Sequence, residues 1–378
     1  MMGESFMGVI IKEVKTNKEK KQWVVFPNKL YKNNQYYVPF LRVDEMDTFN
    51  PKVNPAYEFC ETKLFLAYKD NKIVGRIAGL INHAYNKKWN KNAIRFTRFD
   101  FIDDYEVSEA LFNEVVKWAK ENNLTEIMGP IGFTDLDHEG MLVEGYEELN
   151  MSITFYNHPY YLTHLERLGL QKDIDWVEFQ VKIPEKLDER IYKVTEHLLK
   201  RYNYSLVTYT DRKVLVKDAY EAFKLVDTAF SVLYGTVPLT DKIIDKTIKD
   251  YTNIVNLDYI CCVKDENNEV IGFALLVPSI AKALKKCDGK ITGIFNILKA
   301  LRGKNDVLEM FLVAVKPELQ KRGIPGIMMT HLFKNCIKNK VKYCETGPEL
   351  ETNTSVQGMW KSFETRNHKR RRCFIKQI

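Results

Sequence analysis

The sequence predicts an α/β protein built as two similar halves, each a mixed, twisted sheet flanked by helices. Three observations carry that expectation. The pair Gly129-Pro130, closing "LTEIMGP", recurs as Gly347-Pro348 in "YCETGP", 218 residues further on. The helix-like segments before the two pairs, "VSEALFNEVVKWAKENN" (107–123) and "PGIMMTHLFKNCIKNK" (325–340), keep the same offset. Each half also runs strand, helix, hairpin, strand, helix, strand, helix, strand, an order that builds a sheet with helices on its faces. A repeat of this size means two copies of one fold.

The first half opens with the strand-like "VIIKEVK" (9–15) and the helix-like "KEKKQWVVFPNKLY" (18–31). A hairpin follows over "KLFLAYKDNKIVGRIAGLI" (63–81), turning at Asp70-Asn71, residue types that accept the left-handed conformation of a tight turn. In the helix before the first Gly-Pro, Leu111, Val115, Val116 and Ala119 recur at helical spacing. After it come a polar loop, the helix-like "YYLTHLERLGL" (160–170) and the strand-like "DWVEFQVKI" (175–183). "IPEKLDER" (183–190), with a proline and mixed charges, reads as the joint, giving domains 1–184 and 185–378.

The second half repeats the plan with "YSLVTYT" (204–210), "KDAYEAFKLVDTAF" (217–230) and the hairpin "YICCVKDENNEVIGFALLV" (259–277), turning at Asn267-Asn268. Beyond the second Gly-Pro, "SVQGMWKSF" (355–363) is helix-like and "RRRCFIKQI" (370–378) strand-like. One insertion interrupts the pattern, at about 279–306. "AKALKKCDGKITGIFNILKALRGK" is basic and partly helical, with Ile294, Phe295, Ile297, Leu298 and Leu301 apolar. A lid over the site or a homodimer contact fits it better than a membrane-surface element.

Composition narrows the class. At 378 residues with 45% hydrophobic content, the chain has material for two cores. No apolar run approaches the ~20 residues of a membrane span, and "MMGESFMGVIIKEVK" lacks signal-peptide order. A cytoplasmic protein is expected. Its seven cysteines form no CxxC and its seven histidines no HxH or HExxH, so free thiols and no metal are expected. The net charge of +7 gathers in "NKEKK" and "HKRRR". No RNP, KH or zinc-finger signature accompanies it, which argues against a nucleic-acid partner.

The doubled order of elements resembles the GNAT superfamily of N-acyltransferases, twice over. "GPELETN" with "HKRRRCFIK" in the second half, and "GPIGFTDLDHEG" in the first, are similar to a group of long bacterial GNAT-like proteins, the YghO-like group. The resemblance implies acetyl-CoA or a longer acyl-CoA as co-substrate and a small-molecule amine as acceptor. It is specific for the cofactor only in "AVKPELQKRGIPG" (314–326), set against the superfamily pattern [QR]-x-x-G-x-[GA]. Gln320 and Gly323 match; Pro325 stands where Gly or Ala is expected, and Gly326 follows one place late. A helix start presents unpaired N–H groups to phosphate, and Lys321 and Arg322 add positive charge. The implied cofactor contacts are Val313, Val315, Gln320, Lys321, Arg322, Gly323, Ile324 and Gly326, with Asn353 and Trp360 on the later helix. Proline has no N–H, so losing one charge-assisted bond at 325 costs ~1.5–3 kcal/mol, yet proline suits a first helical turn. The matching place in the first half holds Asp103, Asp104 and Glu106 and no glycine; acids there repel pyrophosphate, so that half is read as lacking a cofactor site.

Three glutamates are candidates for chemistry. Glu309, charged within the apolar "VLEMFLVAV", stands eleven residues before Gln320, the spacing at which some GNAT enzymes place a catalytic base. Glu345 and Glu349 flank the second Gly-Pro and suit a cationic amine. The resemblance also implies a tyrosine seven residues after Asn353, to protonate the leaving thiolate, but Trp360 stands there, and an indole does not give up its proton usefully. A non-catalytic acyl-CoA-binding or scaffold protein, or an aminoacyl-tRNA-dependent transferase, are the alternatives to an acyltransferase.

Overall fold

A computed structural model describes residues 8–252 and 254–378. The chain divides into two compact units. The first is Met1–Trp176 with Leu284–Ile291 and Lys369–Ile378; the second is Val177–Ala283 with Thr292–His368.

The first unit contains β1 (Ile10–Glu13), α1 (Asn17–Leu30), α2 (Arg42–Thr48), β2 (Cys60–Lys69), β3 (Lys72–Asn82), α3 (His83–Trp89), β4 (Ala93–Phe101), α4 (Tyr105–Glu121), β5 (Glu126–Gly129), β6 (Met141–Glu144), α5 (Tyr160–Arg167) and the start of β7 (Gln171–Lys182). Strands β1 to β4 are antiparallel neighbours, and β5 joins β4 in parallel. Asp70 and Asn71 both take positive φ, as a two-residue hairpin requires. Thr16 and Glu19 close a capping box at the start of α1. Helix α4 buries Leu111, Val115 and Ala119, its predicted stripe, with Val116 at its edge. Leu111 sits directly over Gly75 of β3, where a Cβ would approach its Cδ1 to 2.6 Å.

The second unit continues from β7 with α6 (Glu189–Arg201), β8 (Ser205–Thr208), α7 (Arg212–Phe230), α8 (Asp241–Tyr251), β9 (Ile260–Lys264), β10 (Val270–Pro278), α9 (Ala281–Cys287), α10 (Ile294–Arg302), β11 (Val307–Val315), α11 (Ile324–Lys338), β12 (Tyr343–Thr346), β13 (Glu349–Leu350), α12 (Thr354–Gln357) and β14 (Thr365–Gln377), whose end lies in the first unit. Its sheet runs β8–β9–β10–β11–β12–β7, antiparallel except for the parallel pair β11–β12. Helix α11 lies over Gly272 of β10 as α4 lies over Gly75, with Ile324 Cγ2 only 2.6 Å from where a Cβ would stand. The repeat read from the Gly-Pro pairs thus extends to a glycine under the central helix of each half.

Two long strands govern the division. At 12 and 13 residues, β7 and β14 exceed the usual strand length, and each changes unit midway. The ends of β14 and β5 pair from Phe374–Gly129 to Gln377–Glu126, and β14 lies between β5 and β7. The last ten residues therefore complete the first sheet, where a cut near Pro184 would assign them to the second. Within the 279–306 insertion, residues 284–291 likewise belong to the first unit. There Asp288 accepts a 2.7 Å hydrogen bond from Asn28 Nδ2 and is paired with Arg42.

Candidate active site

In the second unit β11 and β12 run side by side for four rungs, from Val307–Tyr343 to Met310–Thr346. The Gly347 N–H then donates to the Met310 carbonyl at 3.2 Å, and β12 ends. Beyond this point β11 keeps β10 as its ladder partner while the β12 side opens. A bulge at Phe311, opposite the Leu275–Leu276 step, bends β11 at the same place. Phe311, Leu312 and Val313 are half-buried, between the buried Leu308–Met310 and Ala314–Val315. The divergence leaves strand backbone free to pair with an extended, amide-bearing ligand.

The open strand leads to the start of α11. Residues Pro317–Arg322 form a 3₁₀ turn, and Gly323 takes φ +76° to admit the helix. That conformation disfavours any side chain, and a Cβ there would also come within 2.7 Å of Leu198 Cδ1. Gly326 faces open space. Pro325 lies in the first helical turn, where its missing N–H interrupts no intrahelical bond. The ladder of the helix starts with Ile327 N–H to Gly323 C=O at 3.2 Å, so the Ile324 and Gly326 amides belong to the donor-rich end. Ile324 itself is fully buried against the core, and so is much of Val315. Gln320, Lys321 and Arg322 are exposed; the Arg322 guanidinium lies 5.3 Å from the Tyr202 ring centroid.

The sheet sorts the strand residues by face. Leu308, Met310, Val313 and Val315 pack with the α11 side of the core. Glu309 points the other way and is 1% exposed. Ser279 Oγ donates to its Oε1 at 2.6 Å. The rung that carries Glu309 continues to Glu345 on β12 and Gln180 on β7, and residues on one rung share a face. Gln180 Nε2 donates to Glu345 Oε1 at 3.2 Å, and Arg366 Nε to Gln180 Oε1 at 3.0 Å. Two residues before Gln180, the fully buried Glu178 lies on the same face by strand alternation. Glu178, Gln180 and Ser279 were missed by sequence reasoning, because only the pairing of distant strands sets them beside Glu309.

The later helix rearranges the implied roles. Asn353 caps α12, accepting from Val356 N–H at 3.4 Å. Trp360 is 3% exposed, and its indole N–H donates to Glu349 Oε1 at 2.8 Å. Burial raises the Glu349 carboxyl to about 7, against the lowering effect of the hydrogen bonds from Trp360 and Thr346. A carboxyl poised near neutrality thus lies within hydrogen-bond reach of the position where the resemblance implies a tyrosine.

The equivalent corner of the first unit is built differently. Asp104 caps α4, accepting from Glu106 N–H at 3.1 Å, and Lys69 bridges Asp104 and Glu106. Ile131 N–H, just past the first Gly-Pro, returns to the Phe96 carbonyl of β4 at 3.0 Å. At the irregular step of β4, Arg98 carries φ +50° and a fully buried side chain paired with Glu45 at 3.0 Å and Asp137 at 2.7 Å. Burial alone would raise both carboxyls, but the Arg98 guanidinium holds them below the usual range. The "GPIGFTDLDHEG" loop is tied to β4 by the Arg98–Asp137 ion pair. Among the described residues, no cluster of His, Cys, Asp or Glu is arranged to hold a metal ion, and no helix is long and apolar enough to cross a membrane.

Comparison with known proteins places this geometry. No family model matches the sequence. Protein YghO of Escherichia coli (strain K12) is 23% identical over 390 residues, spanning 99% of this chain and 96% of that protein. Bacterial ceramide synthase of Caulobacter vibrioides is 22% identical over 290 residues, 74% of this chain and 72% of that one. Among solved structures, a tandem GNAT protein from the clavulanic acid biosynthesis pathway superposes with a TM-score of 0.58 at 11% identity, covering 98% of both chains. A GCN5-related N-acetyltransferase from Sphaerobacter thermophilus gives 0.51 at 9% identity, covering 98% and 95%. The fold of this chain is therefore two GNAT-like domains in tandem, carried by a sequence similar to YghO over nearly its full length.

Proposed function

We propose that the chain is an N-acyltransferase that moves an acyl group from a coenzyme A thioester to an amine, with both substrates held by the second unit. One observation carries the reading: the divergence of β11 from β12 runs directly into the Gly323 turn and the start of α11, with the buried Glu309 on the adjoining strand face. The residues present fit such a thioester. Its pantetheine amides match the open edge of Phe311–Val315, and its phosphates match the helix start with Lys321 and Arg322. Bound there, the thioester supplies an activated acyl carbonyl.

The remaining work is proton handling. An ammonium does not attack a carbonyl, so the acceptor first yields a proton, for which Glu309 on the Glu309–Glu345 rung is the base. The amine then forms the C–N bond as the C–S bond breaks, and the departing thiolate takes a proton. Trp360 does not provide one; Glu349, in its protonated form near neutrality, is assigned that role. Similarity to a bacterial ceramide synthase favours a long acyl chain and a long-chain amine, since a ceramide is the amide of such a pair.

Thermal shift and calorimetry with acetyl-CoA and with long-chain acyl-CoAs test the binding site, since a ligand of the native state raises its melting temperature. Gly323→Asp puts bulk and negative charge at the turn and is expected to abolish the shift. Unchanged affinity in a folded variant would place the ligand elsewhere. Binding of acyl-CoA without turnover of any amine would favour a non-catalytic acyl-CoA-binding protein, which Pro325 and Trp360 also suit.

A further inference from the structure

We infer that the outer face of α10 docks the second unit onto an anionic lipid bilayer, the reading of the insertion that its sequence alone ranks below a lid or a dimer contact. This nine-residue helix lies in the insertion between β10 and β11 and buries Ile297 and Leu301 inward. Its outward stripe is Phe295, Lys299 and Arg302, spaced i, i+4 and i+7, so that the three side chains stack along one side of the cylinder. Phe295 is 81% exposed, the highest value among the described large hydrophobic side chains, and Lys299 and Arg302 are exposed beside it. Lys304 follows, also exposed, and no acidic residue occurs between Gly289 and Asn305. The next acid, Asp306, is paired with Lys342 at 3.1 Å. The exposed side of the helix is therefore one projecting aromatic ring beside Lys299 and Arg302, with Ile291 and Asn296 also exposed and no acid within the segment.

That chemistry selects its occupant. A stable protein partner needs roughly 800 Å² on each side with a packed apolar centre, and one ring on a convex helix offers no such centre. An anionic bilayer needs no complementary shape. It draws lysine and arginine to its surface and accepts an aromatic ring at the headgroup level. The charges also explain why so exposed a phenylalanine is tolerated, since like charge keeps two copies of the face apart.

Sedimentation of the full chain with vesicles tests this. Binding is expected to phosphatidylcholine vesicles containing about one-third phosphatidylglycerol, and to fall away with phosphatidylcholine alone or at about 0.5 M salt. Because each basic residue contributes to the attraction independently, Lys299→Glu with Arg302→Glu should lower vesicle partitioning by roughly tenfold or more. Phe295→Ser should weaken it separately without removing the salt dependence. All three positions are exposed, so melting curves should match the parent chain. The proposal fails if the parent does not bind anionic vesicles, or if both variants bind as it does. It also fails if Phe295→Ser instead turns a dimer into a monomer in sedimentation velocity with vesicle binding unchanged. Vesicle binding requires no acyl transfer, so neither result bears on the chemistry of the site.

Discussion

Glu309 and Glu349 are both buried carboxyls of the second unit, and their surroundings set them different tasks. Glu309 holds a single rung with Glu345 and takes a hydrogen bond from Ser279. In Glu309→Gln the amide still accepts that bond, so acyl-CoA affinity should stay near the parent value. Turnover should fall by about 10²–10⁴, the usual contribution of a positioned base, and recover in part at high pH as the amine loses its proton unaided. Full activity on a confirmed acceptor would reduce Glu309 to a strand residue. Glu349 makes a statement about stability. Its carboxyl rises from 4.5 to about 7 on folding, so the folded state holds the proton more tightly. The stabilisation is complete below about 4.5 and is lost as pH climbs through about 7. Denaturant titrations of the parent should therefore lose stability between pH 5 and 8, while Glu349→Gln should be flatter there. Equal slopes in the two proteins would show that Glu349 is ionised across the range.

Within single elements, much was legible in the sequence because local chemistry and burial agreed. The hairpin at Asp70-Asn71, the stripe of α4 and the strand–turn–helix around Gly323 follow from residue type and spacing alone. Helices α2, α3, α6 and α8 went unread: α6 has no fully buried residue, and α2 and α3 are only seven residues long. For the short α2 and α3, packing against neighbours outweighs propensity, whereas α6 and α8 do carry an amphipathic pattern that the repeat-based reading passed over. The site divided in the same way. Glu309 was visible as a charge in an apolar run, whereas the bond from Trp360 to Glu349 depends on where two separate segments meet. Gly272 is a further case, since its spacing to α11 appears only in three dimensions. Gly272→Val would thrust two methyl groups at Ile324 and Met328, the latter with its sulfur 3.2 Å from a Cβ. Overpacking of this kind costs roughly 1–3 kcal/mol, and the strain would fall on the first turn of α11. Acyl-CoA affinity should drop together with the melting temperature. An unchanged melting temperature would mean that α11 moves away freely.

For the whole chain, the duplication explains the two sheets but not where each one ends. Residues 369–378 follow the second half in sequence and complete the first sheet in space. Four registered pairs join β14 to β5, Phe374 is 1% exposed in the first core, and the buried Arg371 donates to Asn150 and Thr154 at 2.9 Å. Remove the strand, and β5 and β7 each expose an unpaired edge while the partners of Arg371 lose their guanidinium. Unpaired edges seek other chains, and buried acceptors stripped of a charged donor bear the cost of desolvation. A fragment of residues 1–184 should therefore aggregate or melt without cooperativity. The same fragment followed by a flexible linker and residues 365–378 should be soluble and melt cooperatively. In the full chain, deleting residues 369–378 should remove hydrogen-exchange protection from β5 first, because its amides face the missing strand. If the 1–184 fragment alone were monomeric and cooperative, the first half would be a self-sufficient domain and β14 an accessory strand. Failure of the fragment and rescue by the last strand would instead make the C-terminus a requirement for folding the N-terminal half.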